Sequence, residues 1–312
     1  MSIIASFIGA YCREEPAIRE IIQRTGFRYL TDADIVAKAS SLSGFSESKI
    51  QKAFRVRTPF FNQLTHEKEL SIAYLRLALA ETIRDDNIFI NGFTSLLIPS
   101  SIADVLRICI ISDMKSRGLK AIDLGLSERK AFKILHKDAK DRITWTRGIL
   151  AKDDPWDASL YDMVLPTNKM TTEEIGDLVA GAIGGVAYMR TLYAQKVIED
   201  FVLASRVDVA AIKKGHYYVA TVADAGAVTL TINKNVLMLK RLENSLQYEA
   251  KKISGVTSVT TKVGKQFYQA DIVRKFELIV PSKPFHVDDE RQFVSRLSEK
   301  AVLRSNRVYK RL

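Results

Sequence analysis

Cysteine is scarce in this sequence, and histidine nearly so. The 312 residues hold only Cys12 and Cys109, with no CxxC pair, and four histidines (His66, His136, His216, His286) that never fall in an H-x-x-x-H pattern. This excludes a disulfide framework and leaves no spacing for a zinc site. Cys109 stands inside the apolar run VLRICII and reads as a core thiol. Long apolar runs are missing too: none approaches the roughly 20 residues that span a bilayer. The opening MSIIASFIGAYCREEPA has no basic stretch ahead of its short apolar one, so it reads as a buried strand and not a signal peptide. A cytoplasmic location, at most peripheral to a membrane, is the expectation. There is no G-x-S-x-G elbow for serine-nucleophile chemistry, no repeat and no low-complexity tract.

What is present is an ordinary core and a one-sided charge. Hydrophobic residues make up 47% of the chain, enough for packed domains. The net charge is +11. From Arg206 onward, 20 Lys and Arg face 10 Asp and Glu; the residues before it hold 27 against 26. The basic excess therefore belongs almost wholly to the last third, which predicts separate domains, one of them facing an acidic partner.

The pattern along the chain alternates strands with helices. Residues 2–8 (SIIASFI) predict a buried strand ended by Gly9. Residues 14–25 predict a helix with Glu14, Glu15 and Pro16 in its first turn and Gly26 as its stop. FRYL is a short strand, and Thr31 or Asp32 can cap the helix after it. A long helix is expected over 67–85, with strands at NIFING (87–92), VLRICII (105–111) and LYDMVLP (160–166). A basic helix lies over 127–148, and Thr171 or Thr172 caps a further helix. Short apolar β-branched runs covered on both faces imply a parallel α/β sheet, whose ligands bind at the carboxyl ends of the strands. Here that edge carries Gly9–Arg13, Gly92–Thr94 and Ser112–Arg117.

After about residue 205 the period changes. YYVATV and AVTLTI alternate and form a hairpin across Ala223–Gly226. A helix over 235–253, a strand VTSVTTKV, a strand over 272–280 and an amphipathic helix over 287–303 follow. The expected division is 1–190, 191–265 and 266–312.

Residues 1–180 resemble the cytidylate-kinase-like family of P-loop proteins. The resemblance is carried by LRLALAETIRDDNIFINGFTSLLIPSSIADVLRICIISDMKSR (75–117) and by LSERKAFKILHKDAKDRITWTR with LYDMVLPTNKMTTEEI (126–175), in the family's order. It implies an NMP-kinase-like parallel sheet and, as chemistry, ATP-dependent phosphorylation of a nucleoside monophosphate with Mg²⁺. Such catalysis is mostly positioning and charge neutralisation. A Gly-rich loop offers N–H groups, a Lys reaches the terminal phosphate, a Ser or Thr holds the metal, and lid arginines neutralise charge.

The decisive loop departs from that pattern. It reads Gly9-Ala10-Tyr11-Cys12-Arg13-Glu14-Glu15-Pro16, with one glycine and no Gly-Lys-Ser/Thr. Arg13 could stand in for the lysine only as a charge of different shape and reach. The Gly-Arg-Asp that grips the acceptor nucleotide in the family reads Gly92-Phe93-Thr94. Arg117 matches the family's arginine after the strand. Lys137, Arg142 and Arg147 lie along the lid-like helix, with Asp138 and Asp141 among them, as a phosphate clamp or a solvated basic face. Trp145 and Trp156 flank this region, for base stacking or for packing.

Residues 206–265 resemble a BON domain, through GAVTL (226–230) and ISGVTSV (253–259). That resemblance implies a small α+β module that binds membrane lipid or protein. In the tail, Arg296, Lys300, Arg304 and Arg307 recur at helical spacing, followed by Lys310 and Arg311. The stripe suits an anionic membrane, an acidic protein or a nucleic acid, and equally a solvated face. Three functions stay open: a degenerate, regulatory or nucleotide-sensing kinase-like protein; an active nucleoside monophosphate kinase with an atypical loop, using ATP and Mg²⁺; and a non-catalytic scaffold.

Overall fold

The computed structural model describes residues 2–12, 14–55 and 66–268. Arg13, the expected strand over 272–280, the expected helix over 287–303 and the tail cations Arg296, Lys300, Arg304, Arg307, Lys310 and Arg311 lie outside the described residues.

The first strand, β1 (Ile3–Ile8), is buried at every position. It pairs in parallel with β3 (Ile88–Asn91) on one side and β4 (Val105–Ile111) on the other. With β2 (Arg28–Thr31) and β5 (Met163–Pro166) at the edges, the five strands run in the order β2-β3-β1-β4-β5, all parallel. The mostly apolar strands follow from this: each central strand has helices over both faces, and the few polar side chains there are hydrogen-bonded, Ser6 to Asn91 Oδ1 at 2.9 Å and Arg107 to Pro99 O at 2.7 Å.

Helix α1 (Glu14–Thr25) buries Ala17, Ile18 and Ile21 and stops at Gly26, whose φ of +68° suits a residue without Cβ. It packs against α7 (Thr172–Ile183) on one face of the sheet, in a core with Ile4, Phe89, Leu106, Ile110 and Val179. Helix α7 begins at a capping box: Thr171 N donates to Glu174 Oε2 at 2.8 Å and Glu174 N to Thr171 Oγ1 at 3.2 Å. On the other face lie α2 (Asp32–Ser43), the short α3 (Glu47–Gln51) and α4 (Glu67–Thr82). Helix α4 is buried nearly all round, from Ser71 to Ala80, and so shows no single apolar stripe.

Two helices, α5 (Met114–Asp123) and α6 (Glu128–Leu150), form a hairpin between β4 and β5. Helix α8 (Leu192–Lys213) joins the two halves of the chain. Ile198, Phe201, Val202 and Val209 enter the core beneath the parallel sheet, while Leu203, Val207 and Ala211 enter a second core. Its entry is fixed by Arg190. The guanidinium donates to the carbonyls of Ile83 at 3.1 Å and Arg84 at 3.0 Å, just past α4, and pairs with buried Asp104 at 2.7 Å. A cation is favourable at the carbonyl end of a helix.

The second core belongs to a smaller sheet, ordered β6-β7-β8. Strands β6 (Val219–Asp224) and β7 (Ala227–Ile232) are antiparallel, joined across Ala225 and Gly226, both at positive φ (50° and 85°) as a two-residue hairpin requires. Helix α9 (Leu239–Lys251) crosses over to β8 (Ser258–Val263), which pairs in parallel with β7. Val228, Leu230 and Ile232 point inward at alternate positions, against Leu246, Ala250 and Phe267. Among the described residues, no helix is long and apolar enough to cross a membrane.

Candidate functional site

The chain leaves β1 at Gly9, whose N–H donates to Ile110 O at 3.2 Å. A Cβ at Gly9 would meet Cys12 Sγ at 2.9 Å, Trp156 at 3.3 Å and Arg117 at 3.4 Å, so a larger residue here would have to displace buried side chains. Tyr11 takes the left-handed conformation (φ 61°). Cys12 is turned inward and fully buried. Burial pushes its thiol up to about 11, with Arg117 and Arg142 pulling the other way.

The N–H groups of this turn face acceptors of the chain itself. Ala10 N donates to Asp138 Oδ2 at 3.3 Å, Tyr11 N to Glu14 Oε1 at 3.3 Å, and Cys12 N to Gly9 O at 3.3 Å. The carbonyl of Ala10 accepts from Arg117 Nε at 2.8 Å. Asp138, on α6, is the hub. Its Oδ2 also accepts from Arg117 Nη2 at 3.1 Å, and its two oxygens accept from Arg142 Nε at 2.9 and 3.0 Å. Both arginines are buried, with 3% of Arg117 and 7% of Arg142 exposed. Arg142 lies among aromatic rings, its guanidinium carbon 4.6 Å from the Phe7 ring centroid, 5.0 Å from Phe93 and 5.7 Å from Trp156. Its Nη1 has no hydrogen-bond partner among the described residues.

A second closed turn follows β3. Gly92 has φ 131°, and a Cβ there would land in the Asp32 carboxylate. That carboxylate accepts from Phe93 N, Thr94 N and Thr94 Oγ1, each at 2.8 Å, and so caps the one-turn 3₁₀ helix Phe93–Leu97. Burial raises the Asp32 carboxyl above its ordinary range, the hydrogen bonds from Thr94 and Phe93 opposing the shift. Trp145 Nε1 donates to Phe93 O at 2.7 Å.

The structure therefore brings together Gly9, Ala10, Cys12, Arg117 and Arg142, with Gly92 over Asp32 at the neighbouring strand end. It does not align Lys137, Arg142 and Arg147 as one clamp. Five residues of helix turn Arg147 away, to pair with Asp153 at 2.7 Å, and Lys137 pairs with Asp141 at 2.8 Å on the solvent side. Trp145 and Trp156 are packing residues, 3% and 8% exposed. Of the two caps that the sequence offers for α2, Thr31 or Asp32, Thr31 takes the place, with its N–H and hydroxyl donating to Asp34 Oδ2 at 2.7 Å, and Asp32 is left for the turn after β3. No local signal links Asp32 to Thr94, since the two are far apart in the chain. The Asp138–Arg142 pair did carry one, the i,i+4 spacing on a helix.

Among the described residues no group of three or more His, Cys, Asp and Glu could hold a metal ion. The model of the Cytidylate kinase-like family matches residues 14–169. No curated protein matches the chain. Among solved structures, one described as "Crystal structure of uncharacterized protein from Eubacterium ventriosum ATCC 27560" is 14% identical, with a TM-score of 0.45. That match covers 59% of this chain and 98% of the other.

Proposed function

The chain belongs to the cytidylate kinase-like family, and from that premise we propose that it keeps the family's nucleotide-kinase-like body without its phosphoryl-transfer chemistry, as a regulatory or nucleotide-sensing protein. One observation carries this reading: the N–H groups of Ala10, Tyr11 and Cys12 are all engaged by acceptors within the chain. A phosphate loop works by leaving such donors free for the ligand. The residues present do not fit a triphosphate with Mg²⁺. Two carboxylates, Asp138 and Glu14, occupy the donors, the Ala10 carbonyl is drawn to Arg117, and no Ser or Thr follows the turn to hold a metal. Loss of one charge-stabilising group of this kind costs on the order of 100- to 1000-fold in rate, so efficient turnover is not expected.

Incubation of the protein with ATP, Mg²⁺ and CMP, dCMP or UMP tests the reading, with transfer followed by chromatography. Turnover at background is expected. Steady transfer that vanishes in Arg117→Met would overturn it, and would favour an active kinase with an atypical loop.

The C-terminal half is read as the interaction module. The three-stranded unit with α9 is compatible with the BON-like resemblance, and the basic excess of the last third supports an anionic lipid, acidic protein or nucleic acid as its partner. Co-sedimentation with anionic vesicles and nucleic-acid shift assays at low and high salt separate these partners.

A further inference from the structure

We infer that Asp138 is a built-in competitor for a phosphoryl group, holding shut an anion site made of Ala10 N–H, Arg117 and Arg142. The inference rests on the reading of the site as kinase-like and non-transferring, and adds how that site is regulated. One carboxylate oxygen, Asp138 Oδ2, takes three donors from three elements: Ala10 N from the turn after β1, Arg117 Nη2 from α5 and Arg142 Nε from α6. Convergence of a backbone N–H and two guanidiniums on one oxygen is the arrangement that recognises a phosphate oxygen. A further donor is left over. Arg142 Nη1 is buried and has no partner among the described residues. A carboxylate has two oxygens to offer and a phosphoryl group three, so a phosphate can satisfy a donor that Asp138 leaves unmet.

The geometry also shows which contacts give way. Asp138 and Arg142 are four residues apart on one helix and move as a pair. The bonds to Ala10 N and Arg117 cross between elements. An entering anion replaces these cross-element bonds, and α6 shifts away from the turn. Other charged groups facing the cluster are Glu14, held at Tyr11 N, and Asp32, whose carboxylate feels Arg142. Neither bonds to Arg117 or Arg142, so neither substitutes for Asp138 as the competitor.

The test is thermal melting of the full chain against inorganic phosphate, with sulfate, ADP and CMP as separate arms. In wild type, phosphate competes with a tethered carboxylate and the melting temperature stays flat. In Asp138→Asn the site is open, and melting rises by about 3–5 °C at roughly ten times Kd. A rise with inorganic phosphate and sulfate marks a simple oxyanion site; a rise confined to ADP or CMP marks a nucleotide's phosphoryl group, and either supports the inference. The double variant Asp138→Asn/Arg117→Met loses the response, while Asp138→Asn/Lys137→Met keeps it.

If Asp138→Asn is unfolded in chloride buffer, recovery of its far-UV circular dichroism on adding phosphate is the same positive result. The inference is overturned if no arm stabilises or refolds Asp138→Asn, or if wild type responds as strongly as the variant. CMP phosphorylation by wild type would instead remove the non-transferring reading, an outcome that the Asp138→Asn melts do not report.

Discussion

Replacing Asp32 by alanine should cost about 3 kcal/mol of folding stability, because its carboxylate is the acceptor for the turn after β3. Three donors reach it at 2.8 Å: Phe93 N, Thr94 N and Thr94 Oγ1. Hydrogen bonds to an ionised acceptor contribute about 1.5–3 kcal/mol each, and orphaning a buried donor costs about 1–3 kcal/mol. Water entering beside Phe93 offsets part of the loss, whereas Thr94 is fully buried and cannot recover its bond. The raised carboxyl shows that desolvation already cancels part of the gain, which holds the total near the lower end. Asp32→Asn keeps one acceptor oxygen and should cost about 1–2 kcal/mol.

Urea unfolding of the three proteins gives these differences as shifted midpoints with an unchanged slope. The pH dependence has a definite sign. The folded-state pKa of Asp32 is raised by burial, so the folded protein binds this proton more tightly than the unfolded chain. The stability tied to that proton is fully present below the unfolded value of about 3.9 and is lost as pH rises through the folded value. The gap between wild type and Asp32→Asn must therefore narrow as pH rises from 3.9 or so towards neutrality. A cost below about 1 kcal/mol for Asp32→Ala, or a gap that widens with pH, would refute the reasoning.

Arg190→Met should cost about 3–5 kcal/mol in the same assay, since it strands buried Asp104 and uncaps α4, and Arg190→Lys should rescue little because an ammonium lacks the fork. Cys12 and Cys109 should react with a thiol reagent on the order of 100-fold more slowly in the native than in the urea-unfolded protein, as both are fully buried and the Cys12 thiol lies at about 11; fast native labelling would contradict the burial. Truncation after Met189 should yield insoluble protein, whereas the full chain should stay in solution. The truncation removes Ile198, Phe201 and Val202 from the core under the parallel sheet, at about 2 kcal/mol each, a loss comparable with the whole stability of a domain.

Strands β1, β3 and β4 were legible in the sequence because burial on both faces leaves mostly apolar, β-branched positions, as in VLRICII with Arg107 its one charged residue, and so were the helices that start at Glu14 and after Thr171, which carry local start signals. Helix α8 was not legible. It serves two cores, so Ile198, Phe201 and Val202 turn one way and Leu203, Val207 and Ala211 another, and no single stripe stands out. At the site, the bulk and acidity of Gly9–Pro16 could be read directly, but not their use. Glu14 folding back on Tyr11 N is a contact three residues long, whereas Asp32 reaches Thr94 only because β2 and β3 lie side by side.

Adjacent strand ends explain why both turns close in the same way. Strands β1 and β3 are neighbours, so the turns after them open on one edge of the sheet, and each presents backbone N–H groups there. Donors in such a place need an acceptor, from solvent, ligand or chain. Here each turn receives a carboxylate from a helix: Asp138 at Ala10, Asp32 at Phe93 and Thr94. Satisfying the donors would alone suffice for a purely structural turn, but it does not account for Arg117 and Arg142. Apolar side chains of similar volume would fill the same space among Phe7, Phe93 and Trp156 without the desolvation cost of two guanidiniums. Buried cations that share one carboxylate, with a donor unmet, suit a site whose anion can be exchanged better than one built only to hold the fold.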